Sequence, residues 1–159
     1  MKYSIMIAFI INTQVIAQQL PHFETFQELG LTVEVPQGWK WQLANGIVKL
    51  ENKQLSSIMF ITQNKVQTIH ELKLYADMGL FDQGLYLVPV YDFEIINNFK
   101  ISGYYQGHFN TRAVKAFSIS LMNHKGNSVT IIILSESSQF SSQHFSIVKL
   151  LAKSIIFTY

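Results

Sequence analysis

Histidines are the side chains of this 159-residue chain that could bind a metal or move protons near neutral pH. There are five, and they are spread over the sequence at His22, His70, His108, His124 and His144. A helical zinc site places two histidines four residues apart. His70-Glu71 begins that pattern, but Leu74 stands where the second histidine belongs. Because cysteine, the other common zinc ligand, is absent, the sequence predicts no metal site and no cofactor.

A serine-rich segment, residues 135–142, contains Glu136 and lies just before His144. A serine activated by a histidine, with an acid nearby, is the arrangement of many hydrolases. The sequence has no Gly-x-Ser-x-Gly turn, and a serine before a helix is more simply a helix cap. We therefore predict no catalytic residue, and a small exported hydrolase with an unrecognised site stays as the alternative.

Two carboxylates, Asp92 and Glu94, are two positions apart in a stretch predicted to be extended. Their Cα atoms would be about 6.7 Å apart at the ordinary strand rise, which overlaps the separation of the paired acids in glycosidases. The outer face of any edge strand produces the same pattern. The pair therefore does not favour catalysis.

An aromatic row in residues 101–109 is the best candidate for a binding surface. Side chains alternate between the two faces of a strand, so one face would carry the row and the other Gly103 and Gly107. Strand glycines permit close approach of a ligand or of another element, and they equally let a helix pack on a sheet. The predicted binding residues are those of the row and two neighbouring tyrosines: Tyr104, Gln106, His108, Tyr86 and Tyr91.

The N-terminus reads as a secretory signal peptide. Lys2 supplies the positive charge, residues 3–11 the apolar segment, and Val15-Ile16-Ala17 a small-residue cleavage site. The apolar run is shorter than the roughly 20 residues that span a bilayer. We expect cleavage after Ala17, export to the periplasm or the outside, and no stable membrane insertion. The chain then divides into a signal peptide (1–17), a linker and lead segment (18–29) and one domain (30–159).

Charge and cysteine content exclude several classes of partner. Loss of Lys2 leaves 11 basic and 10 acidic residues, and Arg112 is the one arginine. Nucleic-acid surfaces need clustered Lys and Arg, so no nucleic-acid partner is predicted. Without cysteine the exported chain has neither disulfides nor a lipid-anchoring residue. It must fold by packing alone.

The periodicity predicts strands, a helix, strands, a second helix and a final strand. Asn45-Gly46 marks a tight hairpin, Thr68 and Glu71 form a capping box, and Ser137 or Ser138 would cap the second helix. Residues 129–134 are apolar on both faces, which is typical of a covered central strand. We predict an α+β fold, a single α/β/α sandwich with a largely antiparallel sheet and two main helices at about 68–81 and 139–152.

Two blocks of the sequence resemble the PsbP-like and DcrB-like superfamily of small α/β/α sandwich domains. Residues 30–39, which end in Pro36-Gln37-Gly38-Trp39, look like its opening strand and turn, and residues 101–157 resemble its closing strands and helix. The resemblance implies an exported or lumenal accessory protein without an established common catalytic centre. DcrB-like members are often lipid-anchored through a cysteine that this chain lacks.

These observations predict an exported, non-enzymatic accessory or binding protein of the cell envelope or extracellular space. Its partner would be an unknown protein or small ligand. Two other functions stay open: the small hydrolase, and a secreted effector or inhibitor of another protein. An exposed apolar patch larger than a few hundred Å² would favour the effector or inhibitor.

Overall fold

The computed structural model describes residues 22–82 and 84–158. The predicted signal peptide and its cleavage site lie outside the described residues. The described helices are α1 (Ile69–Asp77) and α2 (Ser142–Ser154), and one 3-10 turn spans Gln27–Leu29. The described strands are β1 (His22–Phe26), β2 (Leu31–Val35), β3 (Lys40–Ala44), β4 (Ile47–Asn52), β5 (Ser57–Asn64), β6 (Leu80–Asp82), β7 (Leu85–Pro89), β8 (Glu94–Asn97), β9 (Lys100–Phe109), β10 (Arg112–Met122), β11 (Ser128–Glu136) and β12 (Ile156–Phe157).

The strands form two sheets. The large sheet has the order β3-β4-β5-β11-β10-β9-β7-β6, and β8 pairs with β9 beside the end of β7. The small sheet has the order β1-β2-β12, so part of the predicted lead segment is a strand of this sheet. Every described pairing is antiparallel.

The central strand β11 shows how one sheet supports two cores. It lies between β5 and β10, as the apolar run predicted. Its odd-numbered residues, such as Ile131 and Ile133, face a first core with α2 and β2. Ile132 and Leu134 face a second core with α1. Helices therefore cover both faces of the sheet, and the predicted α+β sandwich is confirmed.

Helix α1 begins where the sequence predicted and ends earlier. The Glu71 N–H donates to Thr68 Oγ1 at 3.1 Å, and the Thr68 N–H donates to Glu71 Oε2 at 3.2 Å. The expected end near residue 81 is wrong, because α1 stops at Asp77. Gly79 has a φ of +88°, which only glycine adopts readily, and residues 80–82 then pair with β7.

Helix α2 begins at Ser142, three residues after the predicted start at about 139. Its N-cap is Ser141, so the predicted cap at Ser137 or Ser138 is wrong. The Ser137 N–H instead donates to the Ala113 carbonyl at 3.0 Å and prolongs the pairing of β11. The serine-rich segment offers several potential caps, and tertiary pairing selects among them. No helix in the described part of the chain is long and apolar enough to cross a membrane.

Candidate functional site

One end of the large sheet presents an open aromatic face. We use this name for Phe81, Tyr86, Val88, Tyr104, Gln106 and His108, which lie on β6, β7 and β9. The register sets Tyr86 beside both Phe81 and His108, and it sets Val88 beside Gln106. Directly opposed residues point to the same side of a sheet. The pleat therefore brings these side chains together from three strands.

Helix α2 limits this face on one side. The Phe145 ring of α2 lies 5.3 Å from the Tyr104 ring. The Phe117 ring of β10 lies 4.9 Å from the same Tyr104 ring. Tyr104 is 43% exposed, and Tyr86 farther out is 55% exposed with its ring 5.0 Å from Phe81. The first core thus continues beyond the helix as a surface of half-exposed rings.

A shallow pocket of about 360 Å³ lies on this face. Tyr86, Gln106 and His108 line it, together with Lys115 and Ser137. Lys115 lies opposite Gln106 in the β9–β10 register. No acidic side chain is among the described residues that line the pocket. The charged side chain at this pocket is therefore a lysine, and a histidine lies beside it.

The structure brings together four of the five predicted binding residues: Tyr86, Tyr104, Gln106 and His108. Tyr91 lies elsewhere, in the loop between β7 and β8, where it is 79% exposed. The Val90 N–H donates to the Tyr104 carbonyl at 2.9 Å and holds the start of that loop against β9. No ligand contact tests these five residues, and their role stays a prediction.

The two glycines of β9 face the second core. A Cβ on Gly103 would lie 2.6 Å from the Phe93 ring, and a Cβ on Gly107 would lie 1.9 Å from the Tyr86 carbonyl oxygen. Both distances are shorter than any ordinary carbon contact. The close approach that the sequence indicated is therefore made by an aromatic side chain and by a neighbouring strand.

A serine and a histidine do meet elsewhere. His144 Nε2 lies 2.8 Å from Ser57 Oγ, although the two residues are 87 positions apart. The serines close to His144 in the sequence are those near residue 140, and nothing local in the sequence indicates Ser57. Because β5 pairs with β11 and α2 covers the end of both strands, the fold alone brings the two side chains together.

Hydrogen bonds assign the direction of this contact. His144 Nδ1 lies 3.0 Å from the Ser141 N–H and 3.2 Å from the Ser141 carbonyl oxygen. The shorter contact, in which the N–H donates to Nδ1, assigns the ring proton to Nε2, and Nε2 then donates to Ser57 Oγ. Ser57 Oγ in turn donates to the Leu55 carbonyl at 2.7 Å. A general base must accept the serine proton, and here the polarity is reversed. No carboxylate of the described residues is hydrogen-bonded to His144, which is 2% exposed, and burial lowers its pKa. The pair fastens α2 to β5.

The predicted carboxylate pair does not form on one strand. Asp92 lies in the loop before β8, and only Glu94 belongs to the strand. The carboxylate that organises this region is Asp77, which accepts the Phe93 N–H at 2.7 Å and forms an ion pair with Lys73. The described residues include no group of three acids or histidines placed to hold a metal ion.

A second concavity of about 560 Å³ lies between the β4–β5 turn and the β9–β10 turn. The β4–β5 turn supplies Lys53 and Ser56 to its rim, and the β9–β10 turn supplies Asn110. An ion pair of 2.7 Å between Arg112 and Glu136 closes one wall. Both signs of charge line this cleft. Its lining residues come from two turns and from β5, β10 and β11, which are distant from one another in the sequence, so the sequence did not indicate it.

Neither a family model nor a curated protein matches this sequence. Solved structures do match. The Ran-binding protein Mog1p of Saccharomyces cerevisiae is 9% identical with a TM-score of 0.56, over 88% of this chain and 96% of its own. The cyanobacterial PsbP (CyanoP) of Synechocystis is 12% identical with a TM-score of 0.59, over 88% of this chain and 93% of its own. Identities this low show the fold alone, and that fold is the one shared by PsbP and Mog1p.

Proposed function

We propose that the protein is an exported, non-enzymatic accessory or binding protein that recognises another protein through its aromatic face. The observation that carries this proposal is the cluster of half-exposed rings on three adjacent strands, beside a lysine and without an acid in the pocket. Tyrosines are enriched at protein contacts, because a large apolar ring and a polar hydroxyl act together.

The fold supports a protein partner. Mog1p has the same fold and is a Ran-binding protein. A likeness in fold does not transfer a binding site, so the proposal rests on the rings and charges of this chain. Lys115 is the cation at the pocket, so the complementary surface would carry a carboxylate that faces it.

The proposal includes export from the cytoplasm and kinship with DcrB-like proteins. The sequence of residues 1–17 supports export, because it has the features of a signal peptide. Mass spectrometry of the protein recovered from outside the cytoplasm tests it. A mature N-terminus at Gln18 is the expected result. A chain that retains Met1 in that fraction would refute cleavage after Ala17.

The binding proposal is tested by capture with matched variants. Immobilised protein would be exposed to the producing cell's envelope and external fractions, next to Tyr86→Ser and Lys115→Glu. The control is Tyr75→Ser, because Tyr75 is as exposed as Tyr86 but lies on α1, on the other side of the sheet. A partner held by the wild type and the control and lost by the first two variants is the expected result.

The captured partner would then be purified and titrated against each variant. Loss of a ring at the centre of a contact commonly costs about 2 kcal/mol or more of binding free energy. This cost corresponds to a dissociation constant that is roughly 30-fold larger. Tyr86→Ser should show that loss, and Lys115→Glu should weaken binding most at low salt. Equal affinity of Tyr86→Ser and Tyr75→Ser would overturn the assignment of the aromatic face.

A further inference from the structure

Strand β3 is one edge of the large sheet, and the aromatic face lies near the opposite edge. Among the described strands it pairs only with β4, and its five residues keep an uninterrupted register. Native sheets blunt such edges with proline, bulges or several charges. Strand β8 has a bulge between Ile95 and Asn97, whereas β3 has Lys40 as its one charged residue and no irregularity.

The β3–β4 turn determines which backbone groups of this edge are free. Asn45 and Gly46 have φ values of +52° and +70°, which are those of a two-residue type I′ turn. The flanking pair, Ala44 and Ile47, is therefore hydrogen-bonded. Because such pairs alternate along an antiparallel ladder, Gln42 and Lys40 also bond to β4. The N–H and C=O groups of Trp41 and Leu43 consequently point outward.

We propose that this edge pairs with β3 of a second copy of the chain, antiparallel and around a two-fold axis at Gln42. In this register Trp41 of each copy lies opposite Leu43 of the other. Each such pair exchanges two N–H···O bonds, so about four hydrogen bonds form and all the outward groups of Trp41 and Leu43 are satisfied. This inference goes beyond the proposed function and does not depend on it.

The side chains fit the same register. Trp41 is 39% exposed and Leu43 is half-buried, and both lie on the face of the first core. Pairing would place each indole against a leucine of the other copy, beside the Phe26 ring that already lies 5.0 Å from Trp41. Lys40 would face Ala44, so no like charges oppose each other. Gln42 would face itself at the axis.

The contact is small, so the dimer should be weak. Five-residue edges bury less than the 1,200–2,000 Å² or so of stable interfaces. We expect sedimentation equilibrium of the purified protein, between about 10 μM and 1 mM, to show a mass that rises from one chain toward two. A mass of one chain throughout that range would overturn the proposal.

Gln42 provides the specific test because it would lie opposite itself. Gln42→Glu and Gln42→Lys each place like charges against each other across the axis, and each should weaken self-association. The lysine variant should weaken it more, because Lys49 of the same chain lies opposite residue 42 and partly neutralises a glutamate there. An equimolar mixture of the two should restore association as a heterodimer. The controls are Gln143→Glu and Gln143→Lys on the exposed side of α2, which should dimerise like the wild type. If the mixture stays monomeric, or the control variants are equally affected, the register is wrong.

Discussion

Gly103→Ala is the substitution that best tests how the second core is built. Its Cβ would lie 2.6 Å from the Phe93 ring, whereas carbon atoms prefer about 3.5–4.0 Å. The ring must therefore move by about 1 Å, and it cannot rotate into solvent because Phe93 is buried and its N–H is bonded to Asp77. Overpacking of this kind costs about 1–3 kcal/mol, which exceeds the gain from replacing a strand glycine.

The assay is urea unfolding followed by circular dichroism. We expect Gly103→Ala to lower the transition midpoint with an unchanged slope, because the surface exposed on unfolding stays the same. Phe93→Leu alone should be destabilising, by less than the roughly 3–5 kcal/mol of a phenylalanine-to-alanine change. In that background the alanine meets a smaller side chain, so its own cost should largely disappear.

The double-mutant cycle is the decisive comparison. A coupling free energy of about 1 kcal/mol or more is expected for residues in direct contact. If Gly103→Ala costs the same in both backgrounds, Phe93 is not the reason for the glycine. If Gly103→Ala leaves the free energy of unfolding of the wild-type protein unchanged, Gly103 does not lie as close to the Phe93 ring as the structure shows.

Three further outcomes are expected. Because burial lowers the pKa of His144 in the folded state, its contribution to the free energy of unfolding should be complete above the ordinary histidine pKa of about 6.5. That contribution should be lost progressively as the pH falls through the lowered pKa of the folded state. A pH series of urea midpoints checks this, and His144→Gln should flatten the acid slope. Thr68→Ala removes the cap of α1 and should cost about 0.5–2 kcal/mol, measured by thermal unfolding, whereas no change would refute the cap. Arg112→Ala breaks an ion pair whose arginine is 75% exposed, so calorimetry should show a loss below about 1 kcal/mol; a larger loss would contradict this.

Local signals in the sequence predicted most of the fold. The Asn45-Gly46 hairpin, the Thr68 cap and the doubly apolar strand β11 each depend on neighbouring residues, and each is present. The ends of the helices were less predictable. Thr68 could be recognised alone, but the early end of α1 depends on the pairing of residues 80–82 with β7, a contact that helix periodicity does not contain.

The candidate site divides in the same way. The alternation of Tyr104, Gln106 and His108 along β9 could be predicted, because a single strand determines it. Their association with Tyr86 depends on which strand lies beside β9, and that is a property of the sheet order. The contact of Ser57 with His144 could not be predicted at all, since it joins residues 87 positions apart through two layers of the fold.

The pairing of β5 with β11 has a consequence for how quickly the protein can fold. Asn64 lies opposite Ser128, a separation of 64 residues, whereas the β3–β4–β5 and β9–β10–β11 hairpins are local. Hairpins form within microseconds, but closing the long segment between β5 and β11 has an entropic cost before any contact offsets it. Pairing of β5 with β11 should therefore be the rate-limiting step of folding, and folding should take milliseconds to seconds. During synthesis the edge of β5 that pairs with β11 stays unpaired until β11 has emerged.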